Sequence, residues 1–418
     1  MTLNELSKLY YRMTALSLFR DFMATEIGVA VFDLLETLNN SFSEEEVISC
    51  YAALAKTIYE GGGDLSLIVK EYVSYGDSPY IEKYIEDRVT KEMDEALANE
   101  LDTLQKVSSL ASKDVIDAME KLGLYEGEFA LPTWSNSRVN LKRDFAAMLK
   151  NLGTRGYGLF SQGTMFKVKD GEIVPVINED YQTIHQLYGY DRERTLVLKN
   201  TAALAEGKVA SNVLLYGDAG TGKSTTVKAC AAQYSSKGIR LIEFDKNQVS
   251  LIPDIAEELA GSPLKFIFFI DDLTFAENDE DYYALKGILE GNVSGTAPNI
   301  LIYATSNRRH LVKENTEDRM GTDIHLNDTL QETMSLSSRF GLTVTFSKPA
   351  KDLYLEIVES LAKEQGLLED KGSKAPGPKY QKQKEDLLTR AEAFAIRANG
   401  RSPRTAKQFV VLAKNGLA

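Results

Sequence analysis

Apolar positions at Leu3, Leu6, Leu9, Tyr10, Met13, Leu16 and Phe19 recur at helix spacing and predict a first amphipathic helix. Glu26 to Leu38 reads as a second, more apolar helix. Ser43-Glu-Glu-Glu46 has the form of a capping box opening a third. Val47, Tyr51, Leu54 and Ile58 form its stripe, and Gly61-Gly62-Gly63 ends it. A longer, heavily charged helix with a solvated face is expected from about Pro79 to Leu110. Residues 1–150 are thus expected to form an N-terminal, mostly helical domain. The single tryptophan, Trp134, follows Pro132-Thr133 in a connector.

From Gly156 to Ile177 the period shifts from helical to alternating. Tyr157–Phe160, Thr164–Lys169 and Glu172–Ile177 read as strands, and Asp170-Gly171 between the last two is a strong hairpin signal. Residues 151–180 are read as a β-hairpin connector. Further strands are expected at Val213–Gly217, Ile239–Phe244, Pro263–Ile270, Asn299–Ser306 and Leu342–Phe346, alternating with helices. The third of these is apolar almost throughout, as in a strand buried on both faces of a parallel sheet. The fold class is therefore α/β, a doubly wound parallel sheet over 181–347 with ligands at the carboxyl ends of its strands. Residues 348–418 return to helical patterning, interrupted by the basic stretch Lys371–Lys384, read as a solvated loop.

The loop after Val213–Tyr216 carries Gly217-Asp218-Ala219-Gly220-Thr221-Gly222-Lys223-Ser224-Thr225, which fits the phosphate-binding P-loop pattern G-x-x-x-x-G-K-[ST]. Glycines there let the backbone approach a phosphate. The amides of Gly220 to Ser224 would donate to it at a helix N-terminus. Lys223 would reach the β- and γ-phosphates of ATP, and the Ser224 hydroxyl would ligate Mg2+. Asp271-Asp272 ends the most apolar strand. Asp271 is expected to hold magnesium through water, and Asp272 to orient or deprotonate the attacking water. Asn307, ending the next strand, could contact the γ-phosphate or that water, although asparagine also favours helix caps and turns. Arg339 stands at the expected end of a helix that Asp328 could cap; the choice is between a C-terminal cation and an arginine finger offered to a neighbouring subunit. Arg404 follows Gly400-Arg401-Ser402-Pro403 at a helix start, where a cation opposes the dipole at a cost of roughly 0.3–1 kcal/mol. A nucleotide phosphate would explain that placement; a solvated surface pair is the alternative.

Charge narrows the partners. With 61 acidic against 48 basic residues, the net charge is −13, which disfavours global steering toward nucleic acid. Three histidines (His185, His310, His325) and two distant cysteines (Cys50, Cys230) cannot build a zinc site at the usual spacings. The cysteines are expected as buried thiols in a reducing compartment. No apolar run spans a bilayer and the N-terminus lacks a signal-peptide layout, so a cytoplasmic location is expected.

Together, the P-loop, Asp271-Asp272, Asn307, Ser-Arg339-Phe-Gly and Gly-Arg-Ser-Pro-Arg404 resemble the AAA+ ATPase superfamily. They stand in the order of its Walker A, Walker B, sensor 1, arginine finger and sensor 2. From about Gly156 onward the sequence is similar to a bacterial family of ATPases, domain of unknown function 815. The likeness lies in Gly-Tyr190-Asp-Arg-Glu-Arg, Asp271-Asp-Leu-Thr-Phe275, Tyr303-Ala-Thr-Ser-Asn-Arg-Arg-His-Leu311 and Leu336-Ser-Ser-Arg-Phe-Gly-Leu342. The resemblance implies Mg-ATP hydrolysis at a subunit interface of a homo-oligomer, with Arg339 acting in trans and residues 348–418 as a helical lid. The client would be an unidentified protein rather than nucleic acid. Walker B departs from the common Asp-Glu, since Asp272 is one methylene shorter. That permits a nucleotide-gated assembly switch with little turnover. A DNA-associated loader or initiator shares this Walker B form but meets the adverse charge, and a small-molecule P-loop kinase leaves Arg339 and Arg404 unexplained.

Overall fold

The computed structural model describes residues 1–40, 42–127, 129–177, 181–274, 280–290, 297–307, 338–368, 378–398 and 400–417. Asp328, His310, His325, Phe275, Leu336, and the stretches 308–311 and 371–377 lie outside them. The chain divides into two compact units, Met1–Gln162 and Gly163–Ala418.

The first unit is helical, and its caps follow the sequence. Thr2 with Glu5 and Ser43 with Glu46 form capping boxes opening Leu3–Thr14 and Glu44–Glu60. The core gathers Leu6, Leu9, Val31, Leu34, Tyr51, Leu54 and Leu104. The expected long helix is two, Pro79–Ile85 and Lys91–Ser108. Asp87 takes a left-handed conformation between them (φ 55°), and the Thr90 hydroxyl accepts the Met93 amide to start the second. Trp134 is buried: its Nε1 donates to the Leu110 carbonyl at 2.8 Å and its ring meets Tyr51 at 5.3 Å. Tyr157–Phe160 is not a strand, because Gly158 is left-handed (φ 52°) and Gly158–Ser161 closes into a 3-10 turn.

The second unit holds a seven-stranded sheet. Its strands are β1 (Met165–Lys169), β2 (Glu172–Pro175), β3 (Val213–Gly217), β4 (Ile239–Phe244), β5 (Lys265–Ile270), β6 (Ile300–Ser306) and β7 (Leu342–Phe346). The order across the sheet is β2-β1-β4-β5-β6-β3-β7. Every pairing is parallel except β1 with β2. The expected hairpin forms, with Asp170 and Gly171 both at positive φ (53° and 86°) as its tight turn requires. It is built into the sheet, however, rather than serving as a connector: β1 pairs with β4, and Met165, Phe166 and Val168 are all buried.

From β3 the chain crosses to β4 through the helix Lys223–Gln233, then returns through β5 and β6 and passes β3 to reach β7. Right-handed crossovers place helices of opposite travel on opposite faces, which makes the sheet doubly wound. All five residues from Phe266 to Ile270 are accordingly buried. Ile267 and Phe269 share a core with Val197 and Val227 and with Tyr354, Ile357, Leu387 and Phe409 of the C-terminal helices Lys351–Glu364, Pro378–Arg397 and Pro403–Lys414. No described helix is long and apolar enough to cross a membrane.

Candidate functional site

The β3 loop, the ends of β5 and β6, and the start of the helix Pro403–Lys414 meet at the carboxyl edge of the sheet. Gly217, Gly220 and Gly222 all have positive φ (133°, 77° and 92°). A Cβ on Gly217 would stand 2.2 Å from the Phe346 carbonyl oxygen, so this turn admits no side chain. The loop is pinned to the end of β7: the Asp218 amide donates to the Phe346 carbonyl at 3.0 Å, and the Lys348 amide donates to the Asp218 carboxylate at 2.7 Å.

Lys223 opens the helix after the loop and is 6% exposed. Its Nζ donates to the carbonyls of Gly217 and Asp218 and to Oδ1 of Asn307, each at 2.9 Å. Burial lowers its pKa, opposed by the carboxylates of Asp272, Asp218 and Asp271. A phosphate beside it would favour the charged form further. Asn307 passes the contact on, since its Nδ2 donates to Asp272 Oδ1 at 2.7 Å. Asp272 itself is left-handed (φ 51°), a conformation rare outside glycine and found mostly where local structure imposes it.

Ser224 donates its hydroxyl to Asp271 Oδ1 at 2.6 Å. Pairing of Ile270 with Ala304 brings Asp271 beside Thr305, whose hydroxyl donates to the same carboxylate oxygen and accepts the Asp272 amide at 3.0 Å. A hydroxyl and a carboxylate converging beside a glycine loop form a hard oxygen donor set of the kind that binds magnesium. Thr305 was not singled out from sequence, although strand alternation places it on the same side as Asn307.

Arg404 is also brought here. Ser402 caps its helix by accepting the Thr405 amide at 3.1 Å, and Pro403 has no amide to satisfy. A further orphan donor, the Arg404 amide, bonds the Gly220 carbonyl at 3.2 Å. A Cβ on Gly220 would lie 3.3 Å from both Ser402 Oγ and Arg404 Cβ, so glycine permits this approach.

A family model described as "Protein of unknown function (DUF815)" matches residues 162–416. The chain belongs to this family. No curated protein matches the DUF815 chain. Solved structures similar to it include the Thermotoga maritima RuvB Holliday junction branch migration motor, with 16% identity, a TM-score of 0.31, and coverage of 56% of this chain and 72% of that one. Caenorhabditis elegans PCH-2 shows 15% identity, a TM-score of 0.34, and coverage of 55% and 70%. The Aeropyrum pernix ORC1 protein, solved in complex with DNA, shows 17% identity, a TM-score of 0.37, and coverage of 55% and 60%.

Beside the loop is a cavity of about 210 Å3, lined by Leu187, Tyr188, Arg194, Gly220, Gly222, Thr225, Ile357, Leu361 and Arg404 among others. Arg194 is 6% exposed, and desolvation lowers its pKa to about 10. Arg339, by contrast, pairs with Glu290 through Nε (2.5 Å) and Nη2. Glu290 ends the helix Glu280–Glu290, where a carboxylate opposes the dipole; the pairing offsets that penalty. Neither Arg194 nor Glu290 was singled out as a functional residue from sequence, since neither partner set leaves a spacing signal.

Proposed function

We propose that this chain is an AAA+-type ATPase that binds Mg-ATP in the β3 loop and hydrolyses it at the interface between copies of itself, to move an unidentified protein client. The observation carrying this is the continuous polar chain Lys223–Asn307–Asp272 beside the Ser224–Asp271 contact. In this reading the loop amides and Lys223 receive the β- and γ-phosphates, and the cavity between Tyr188 and Ile357 receives the base. Ser224 and Asp271 would hold magnesium, which when bound neutralises charge on the phosphate oxygens. Asp272 accepts the proton of the attacking water, and Asn307 holds that carboxylate in place. Arg404 faces the phosphates from the lid, residues 348–418. In this reading Arg339 acts in trans, exchanging Glu290 for the neighbour's γ-phosphate.

The test is ATP turnover against protein concentration. Turnover per chain should rise with concentration and vanish in Asp272→Ala, which should still bind ATP. Binding without turnover in the natural sequence would replace this reading with the nucleotide-gated switch. Arg339→Ala should leave ATP affinity within about twofold and lower turnover roughly 10²–10³-fold. Unchanged turnover in that variant would remove the finger role.

A further inference from the structure

Arg194 makes an unusual set of bonds for a buried cation. Its Nη1 donates to the carbonyls of Leu187 (2.5 Å) and Gly189, and its Nη2 to the carbonyl of Tyr188 at 3.3 Å. Three consecutive carbonyls thus converge on one guanidinium, while its buried Nε has no hydrogen-bond partner among the described residues. Burying a cation against neutral dipoles costs more than an apolar residue of similar size would. The stability of the fold therefore does not account for an arginine here.

The turn it grips is strained and central. Gly189 (φ 73°) and Tyr190 (φ 58°) are both left-handed, the second against the preference of an aromatic residue. Such a pair persists only when surrounding contacts over-determine it. Arg194 supplies one set; the Tyr190 hydroxyl, bonded to the Ser347 carbonyl at 2.6 Å, supplies another. A Cβ on Gly189 would lie 3.0 Å from Ile357, so the turn also abuts the helix Lys351–Glu364. Arg194 Nη2 lies 3.9 Å from where a Cβ on Gly222 would stand, beside the phosphate loop. One side chain therefore links the turn forming one wall of the cavity to the P-loop.

We infer that Arg194 is a positioning residue for nucleotide-base recognition: it fixes the backbone of Leu187–Gly189 as a preformed wall for a purine base. The inference rests on the nucleotide-site reading above and deepens it. A preformed wall spares the ligand the cost of ordering it, so its loss weakens binding of ligands that carry a base. Ligands that engage only the phosphate loop are spared.

The experiment compares Mg-ATP with Mg-tripolyphosphate, a ligand without base or ribose, by titration calorimetry on the full chain. Arg194→Met should weaken ATP at least about tenfold and change tripolyphosphate by less than about twofold. Arg194→Lys, which keeps the charge but reaches fewer carbonyls, should fall between. Equal losses for both ligands would mean general damage to the loop and overturn the inference, as would unchanged ATP affinity in both variants. Thermal unfolding of each variant identifies any that fails to fold, and the lysine variant then carries the test. Failure of the natural chain to bind either ligand would instead sink the nucleotide-site reading, and this inference with it.

Discussion

Lys223→Ala should abolish ATP turnover and weaken ATP binding by roughly 10²–10³-fold, the usual cost of removing one partner from a desolvated, charge-assisted contact. Lys223 is 6% exposed and its ammonium is bonded to two loop carbonyls and Asn307, so it is already placed and largely withdrawn from water. Burial disfavours its charged form in the free protein and lowers its pKa. Alanine removes that penalty along with the hydrogen bonds. Thermal stability should therefore fall little, while calorimetric ATP binding collapses. A variant that loses fold and binding together would assign Lys223 a structural role, and one that keeps turnover would end the ATPase reading.

The second large effect lies in the helical unit. Glu100 is 7% exposed and accepts four hydrogen bonds: from the Ser17 amide (3.0 Å) and hydroxyl (2.6 Å), the Leu18 amide (3.2 Å) and the Phe19 amide (3.0 Å). It caps the turn that follows the first helix, in a segment whose Phe19 and Phe22 are buried. Glu100→Ala strands these donors and should destabilise Met1–Gln162 by about 3–5 kcal/mol. Glu100→Gln should cost less, because one oxygen can still accept while its amide nitrogen opposes a donor. Denaturant unfolding followed by Trp134 fluorescence would report it, since Trp134 belongs to the same core. A change below about 1 kcal/mol in the alanine variant would contradict this account.

What the sequence reveals here depends on how local the cause is. The β3 loop is legible because its glycines, lysine and serine are contiguous and each is demanded by backbone geometry or charge. Asp271, Asp272 and Asn307 are legible as strand ends, yet their mutual bonding depends on the β5–β6 register, which leaves no spacing in the chain. Arg404 could be suspected because a cation opposes the dipole at a helix start. Its backbone bond to Gly220 could not. The hairpin turn was legible in Asp170-Gly171, but not its pairing with β4, where Met165 meets Leu241, 76 residues on, and which is decided by apolar residues on both faces of β1. The break between Ile85 and Lys91 was hidden by an uninterrupted run of helix-compatible residues. Arg194 escapes for a different reason: its partners are main-chain carbonyls, and these are the same in every sequence.

The bond from the Arg404 amide to the Gly220 carbonyl sets a bound on communication. It spans two elements: the glycine loop that would receive the phosphates in the proposed reading, and a helix whose first turn gives one of its free amides to that loop's carbonyl. A neutral hydrogen bond is worth about 0.5–1.5 kcal/mol net, which corresponds to roughly a two- to twelvefold shift in an equilibrium. Through this contact alone, loop occupancy can bias the seating of the helix Pro403–Lys414 by no more than about tenfold. Reciprocity requires that unseating the helix weaken anything bound in the loop by the same factor. A response of a hundredfold or more therefore has to recruit charge, and the Arg404 side chain is carried by the very residue whose amide makes this bond.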